Sequence, residues 1–185
     1  MTNGDLTHMN TTERRLAEVA MDGRWSADLA ELEERWWPPV ASRIREARLR
    51  TGLSDTEVAR RLGLTVDSYC DLERYDDEAF SVVSLRDLDA LGRILGVQTR
   101  VLLLGPEAEG LKRSITEAEI TTHLADKVSD SGQSIEQFGD AVGWDITELL
   151  SDPKTLWSFS VEGLYDLCKP IGVDWVEVLP DFPLK

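Results

Sequence analysis

The chain repeats itself, and that repeat limits what it can fold into more than any other feature. The stretch LSDTEVARRLGLTVDSY (53–69) aligns with QSIEQFGDAVGWDITEL (133–149) at an offset of 80. Ser54 pairs with Ser134, Val58 with Phe138, Ala59 with Gly139, Leu62 with Val142, Gly63 with Gly143, Leu64 with Trp144 and Tyr69 with Leu149. Upstream, Val40 and Ile44 pair with Ile120 and Leu124. Downstream the offset drops to 76, and Ser84, Leu85, Leu88, Leu91, Leu95, Gly96 and Val97 match Ser160, Val161, Leu164, Leu167, Ile171, Gly172 and Val173. A four-residue deletion between 149 and 160 accounts for the change of offset. A fixed core pattern used twice means one small supersecondary unit built twice.

The local logic of each copy is helical. Ser54 with Glu57, and Ser134 with Gln137, fit a capping box, in which a hydroxyl takes a free backbone N–H and the residue three on reaches back. A short amphipathic helix follows at about 58–62 and 138–142. Gly63 and Gly143 sit where the chain turns sharply, which glycine does at little steric cost. A second short helix is expected from Thr65 or Asp145, and a longer one from Ser84 or Ser160. This gives about five short helices per repeat and little or no sheet. The runs VLLL (101–104) and VEVL (176–179) are left open as strands. The expected fold is all-α: an N-terminal tail and helical segment (1–38), a first bundle (39–104), a Gly/Pro/charge-rich linker (105–113) and a second bundle (114–185). In the N-terminal segment, Leu16, Val19 and Ala20, then Leu29, Leu32 and Trp36, continue an apolar stripe up to Pro38-Pro39.

Charge divides the copies. The chain carries −15 overall. Residues 39–104 hold ten basic residues, all Arg, against eleven acidic ones, whereas residues 105–185 hold six against sixteen. A polyanion is repelled by a surface this acidic unless basic groups are segregated, so only the first copy can dock one.

A small residue at 59, glycine at 63 and apolar residues at 58, 62, 64, 69 and 72 have the spacing of a helix-turn-helix. The full run IREARLRTGLSDTEVARRLGLTVDSYCDLER…SLRDLDALGRILGV resembles the lambda-repressor-like, or xenobiotic-response-element, family of helix-turn-helix domains. The resemblance covers about 39–104 and includes Gly52-Leu53-Ser54, Leu72-Glu73 and Leu95-Gly96-Val97; the second repeat resembles the family more weakly over about 115–180. The resemblance implies a recognition helix at 65–73 in a DNA major groove, with the preceding helix across the phosphates. By position, its outward residues are Asp55, Thr56, Thr65, Val66, Asp67, Ser68 and Asp71. Arg43, Arg45, Arg48, Arg50, Arg60 and Arg61 are candidates to clamp phosphates, or a solvated face paired with Glu46, Asp55 and Glu57.

The sequence departs from the family pattern. Asp55 stands where glutamine is common, Asp67 and Asp71 put carboxylates on the face that meets DNA, and the run Asp76-Asp77-Glu78 falls in a loop expected to flank the DNA backbone. In the second repeat, Asp152 and Pro153 take the places of Leu72 and Glu73, so the third helix should end early; its outward residues Asp145, Thr147, Glu148 and Ser151 include no cation.

Other chemistry is sparse. His8 and His123 lack metal-ligand spacing to Cys70 or Cys168, and no phosphate-binding glycine loop or nucleophile–base pattern occurs, so neither an enzyme nor a cofactor is expected. Cys70 lies on the expected recognition helix, whereas Cys168 falls beside Leu164 and Leu167 and is assigned to the core. Trp144 and Trp175 are assigned to the second core, and Trp36 and Trp37 to a cap on the first bundle or a partner patch. With no secretory pattern, no membrane-length apolar run and two cysteines, the expectation is a cytoplasmic protein. The expected function is sequence-specific DNA binding and transcriptional regulation by the first repeat. The second repeat then serves as homodimer or protein-partner module. The alternative is a protein-binding module, such as an antitoxin, immunity or adaptor protein, with the helix-turn-helix as scaffold only.

Overall fold

Each repeat opens on a helix whose last turn is closed in the same way. In the computed structural model, which describes residues 39–109 and 113–179, α1 (Val40–Thr51) ends on Gly52 at φ 71°, and α7 (Glu117–Ser131) on Gly132 at φ 67°. The Thr51 hydroxyl donates to the Arg48 carbonyl (2.7 Å) and accepts from Leu53 N–H; Ser131 does the same with Val128 (2.8 Å) and Gln133. Next come α2 (Asp55–Leu62) and α8 (Ile135–Val142), capped by the Ser54 and Ser134 hydroxyls and stopped by Gly63 and Gly143. α3 (Val66–Leu72) is followed by the single turn α4 (Glu78–Ser81); their counterparts are α9 (Thr147–Ser151) and a 3₁₀ turn, Pro153–Ser158. α5 (Leu85–Leu95) and α10 (Val161–Cys168) start on the Ser84 and Ser160 hydroxyls. α6 (Thr99–Leu104) closes the first repeat, and 3₁₀ turns at Lys169–Ile171 and Trp175–Glu177 close the second.

The architecture is all-α, with no strand among the described residues. Both runs left open as strands, VLLL and VEVL, are instead helical: the first lies in α6, and the second begins in the Trp175–Glu177 turn. Gln98 and Asp174 stand at the start of each, and the Asp174 carboxylate takes the Val176 N–H (3.0 Å), so the backbone pairs locally and has no partner strand to seek. The capping boxes differ between repeats. Ser134 and Gln137 form the full reciprocal pair, but Glu57 does not reach back to Ser54, because its carboxylate is held by Arg60 and Arg61. The expectations for residues 1–38 lie outside the described residues.

Each core follows the repeat pattern. In the first, Ile44 and Ala47 of α1, Val58 of α2, Tyr69 and Leu72 of α3, and Leu85, Leu88 and Leu91 of α5 are buried. In the second, Ile120, Leu124 and Val128 meet Phe138, Ile146, Leu149, Leu156, Val161 and Leu164. Trp175 is buried, whereas Trp144 is half-buried, its indole N–H donating to Asp166 (2.9 Å) and its ring tilted against Phe159. The repeats pack together within one compact unit: α4 lies against α10, α5 against the Pro153–Ser158 turn, and Ser84 and Ser160 form an isolated antiparallel bridge.

One buried polar network fixes α3 to α1. The Arg48 guanidinium donates twice to the Glu73 carboxylate, the second bond at 2.8 Å, and once to the Leu53 carbonyl (3.2 Å); the Tyr69 hydroxyl donates to the same carboxylate at 2.7 Å. Burial alone would raise the Glu73 pKa. The hydrogen bonds from Arg48 and Tyr69 outweigh it and hold the carboxyl below its ordinary range. Burial, then the bond to Glu73, pushes the Tyr69 phenol up. The second repeat replaces all three members: Arg48, Tyr69 and Glu73 correspond to Val128, Leu149 and Pro153. Val128 and Leu149 are buried there. A buried pair exchanged whole for packed apolar groups costs little, whereas one partner removed alone leaves an uncompensated charge.

Accordingly, Arg48→Met is expected to destabilise the protein by about 3 kcal/mol or more, and Arg48→Met with Glu73→Leu by clearly less than the two single changes summed. Denaturant midpoints of the four proteins check this. Because the folded-state pKa of Glu73 is lowered, its contribution is complete above the unfolded carboxylate pKa and is lost as pH falls through the lower folded value. The loss on acidification should be smaller in the double variant.

Candidate nucleic-acid interface

The turn between α2 and α3 is set by two small residues. Gly63 takes φ 73°, a conformation that costs a side-chain-bearing residue roughly 1 kcal/mol or more, and lets Leu64 N–H return to the Ala59 carbonyl (3.0 Å). Ala59 is buried between the helices. With Tyr69 and Leu72 anchored inward, the opposite side of α3 faces solvent: Thr65, Val66, Asp67 and Ser68 are all exposed, and Asp71 is partly so. Thr56 is exposed on the first turn of α2. All seven expected outward residues are therefore exposed or half-buried. Their polar groups are partly engaged. The Thr65 hydroxyl accepts Ser68 N–H (3.1 Å) and pairs with the Ser68 hydroxyl (2.8 Å), while Asp55 Oδ1 accepts Thr56 N–H (2.6 Å). The half-buried Cys70 thiol lies 3.9 Å from Asp55 Oδ2.

The six arginines of 43–61 do not form one cationic strip. Arg48 is consumed by Glu73. Arg43 is half-buried, and its Nη2 donates to the Leu103 carbonyl (2.7 Å) at the end of α6, where a cation also offsets the helix dipole. Arg60 and Arg61 stay exposed but share Glu57, with Nη2 and Nε at 2.8 and 2.9 Å from its Oε1. The hydrogen bonds from Arg60 and then Arg61 hold the Glu57 pKa down to about 2, so it stays charged through the neutral range. Arg45 is exposed with its Nε 3.7 Å from Glu73, and Arg50 is exposed. Arg74 is exposed, 3.9 Å from Asp71.

Two members of the acidic run at 76–78 are engaged within the fold. α1 follows Pro39, whose side chain offers no cap, and Asp76 Oδ1 supplies one by accepting Ala41 N–H (2.8 Å). Asp77 is buried at the start of α4, where its carbonyl accepts from Phe80 and Ser81 (both 2.9 Å). Desolvation, then Asp77 and Asp71, raises the Glu78 pKa. Asp76 and Asp77 are thus engaged within the fold.

The equivalent face of the second repeat is built differently. Ile146, at the position of exposed Val66, is fully buried, and α9 stops at Ser151. Asp152 then caps the following turn by accepting Lys154 N–H (3.1 Å). Asp145, Thr147, Glu148 and Ser151 are exposed, and Asp130 and Asp140 stand where the first repeat has Arg50 and Arg60. Among the described residues no set of His, Cys, Asp and Glu side chains is placed to hold a metal ion, and no helix is long and apolar enough to cross a membrane. Burial pushes the Cys168 thiol up to about 12.

The Arg48–Glu73 pair and the Asp76 cap were missed from the sequence. A basic residue late in α1 with a glutamate just after Leu72 was the available signal for the first; nothing local marked the second.

Gly63→Ala should lower stability by about 1 kcal/mol, a melting-temperature drop of roughly 2–4 °C, through backbone strain alone, because the added methyl would meet nothing within 4 Å. Calorimetry checks it; an unchanged midpoint would show that the turn is not left-handed in solution.

Comparison with known protein families, curated proteins and solved structures finds no match to this chain.

Proposed function

We propose that the protein is a DNA-binding regulator of transcription in which two lambda-repressor-like bundles stand in tandem and only the first reads DNA. The observation that carries this reading is the presentation of α3. Four consecutive side chains at its N-terminal end, Thr65 to Ser68, are exposed, while the Arg48–Glu73–Tyr69 network holds the opposite side rigid. A helix offered to a groove by its first turn has this form. The exposed groups suit base edges: hydroxyls pair with any base, a Val methyl packs on a thymine methyl, and an Asp carboxylate accepts from cytosine N4. Asp76 Oδ1 accepts Ala41 N–H and Asp77 is buried, so neither carboxylate stands as free surface beside α3.

The electrostatic part of this binding is modest. Water and salt screen exposed ion pairs, so Arg60 and Arg61 can leave Glu57 for phosphates at small cost. With Arg45, Arg50 and Arg74 they make five exposed arginines around α1–α3. A second reading, a protein-binding module on the same scaffold, is favoured by one specific observation: the face around α3 carries Asp55, Glu57, Asp67 and Asp71 against Arg60, Arg61 and Arg74.

Titration of the full chain against promoter fragments across a salt series separates the two readings. At about 0.9 log units per phosphate contact, five arginines limit the salt slope to about −4.5. Glu57→Gln, which releases Arg60 and Arg61, should tighten binding and steepen its salt dependence. No fragment retained at any salt would remove the DNA reading and leave the protein-binding one.

A further inference from the structure

We infer that the second repeat fills the place of a second copy of the first, so that the protein is a single-chain pseudo-dimer addressing one undivided DNA half-site. Ser84 and Ser160 are the same position of the two repeats at the offset of 76, and they pair with each other across an antiparallel bridge. Equivalent positions meet in this way only beside a local two-fold axis, the arrangement of an isologous interface. The surrounding contacts are reciprocal. α4 of the first repeat packs on α10 of the second, and the Pro153–Ser158 turn, the counterpart of α4, packs on α5, the counterpart of α10. Phe80 and Leu156, and Leu85 and Val161, are equivalent pairs buried on both sides.

An isologous patch that has met its equivalent is closed. No copy of it remains for another chain. One contact makes the pairing specific. Arg100 is buried and its Nη2 donates to the Leu179 carbonyl of the second repeat (2.7 Å), while the position equivalent to Arg100 is Val176. The interface therefore suits first repeat against second better than two first repeats. The consequence for DNA rests on the reading above. Symmetric helix-turn-helix dimers read palindromes because both halves are competent. Here the second half carries Asp130 and Asp140 in place of Arg50 and Arg60, and a five-residue α9.

The assembly is tested on the full chain without DNA. Sedimentation equilibrium at tens of micromolar should give the mass of one chain, 20.8 kDa; a dimer would overturn the inference. In a Cys70→Ser background, Ser84→Cys with Ser160→Cys should oxidise within one chain. Leu85 N–H bonds to the Phe159 carbonyl (2.8 Å), so Ser84 and Ser160 face each other as a non-hydrogen-bonded pair, with Cα atoms expected about 4.5 Å apart, inside the disulfide range. Ser84→Cys alone should give no covalent dimer; efficient cross-linking of two chains by that single variant would contradict the inference. Should loss of both serine caps prevent folding, sedimentation of the unaltered chain still decides. Selection of random duplexes should enrich one undivided motif. A two-fold-symmetric motif would overturn the half-site claim while leaving DNA binding intact. No enrichment would remove the DNA reading and the half-site claim together, the pseudo-dimer being judged by sedimentation and cross-linking.

Discussion

The carboxylate of Glu73, taken out of water and held by Arg48 and Tyr69, is the interaction on which the shape of the first repeat depends. It lies just beyond α3, and its partners come from α1 and from α3 itself. Through Arg48 and the Leu53 carbonyl it also ties down the loop that enters α2. One buried charge thus fixes the relative placement of three helices and leaves the outer side of α3 free to meet something else. Such a network is costly unless complete, which is why the second repeat lacks all of it and not part of it.

The two repeats separate what backbone design requires from what surface chemistry requires. Both keep the serine caps at 54/134 and 84/160, the left-handed glycines and the apolar core. They differ at the α3 cap, where Thr65 caps α3 but Ile146, at the start of α9, offers no side-chain cap, in the buried ion network and in surface charge. Val66 is exposed and Ile146 is buried; Arg60 is a cation and Asp140 an anion. The buried ion network accompanies a seven-residue α3 with an exposed N-terminal turn, and its apolar replacement accompanies a helix of five residues that ends against Asp152-Pro153.

Local chemistry was legible in the sequence, and long-range pairing was not. Ser54, Thr65, Ser84, Ser134 and Ser160 cap helices at their first turns, and Gly63 and Gly143 take positive φ where the repeat placed turns. Those signals act within a few residues. The outward residues of α3 came from the family resemblance, carried over by position, and not from periodicity. The bond from Ala41 to Asp76 spans 35 residues, Arg48 to Glu73 spans 25 and Arg43 to Leu103 spans 60. Charge counting treats each of these groups as free surface, so it overstated the number of arginines of the first repeat left uncommitted. Alignment likewise showed that Ser84 and Ser160 are equivalent, but equivalence in a pattern does not say that two positions touch.

The central claim is that α3 of the first repeat, and nothing in the second, is the recognition element. The most direct measurement is a two-dimensional amide NMR titration of the full chain with a retained promoter duplex. The account predicts shift changes clustered at Asp55, Thr56, Arg60, Arg61 and Thr65 to Asp71, with amides of residues 135–151 unmoved. Changes centred on 135–151, or a titration that leaves 65–71 unmoved while DNA is bound, would contradict it.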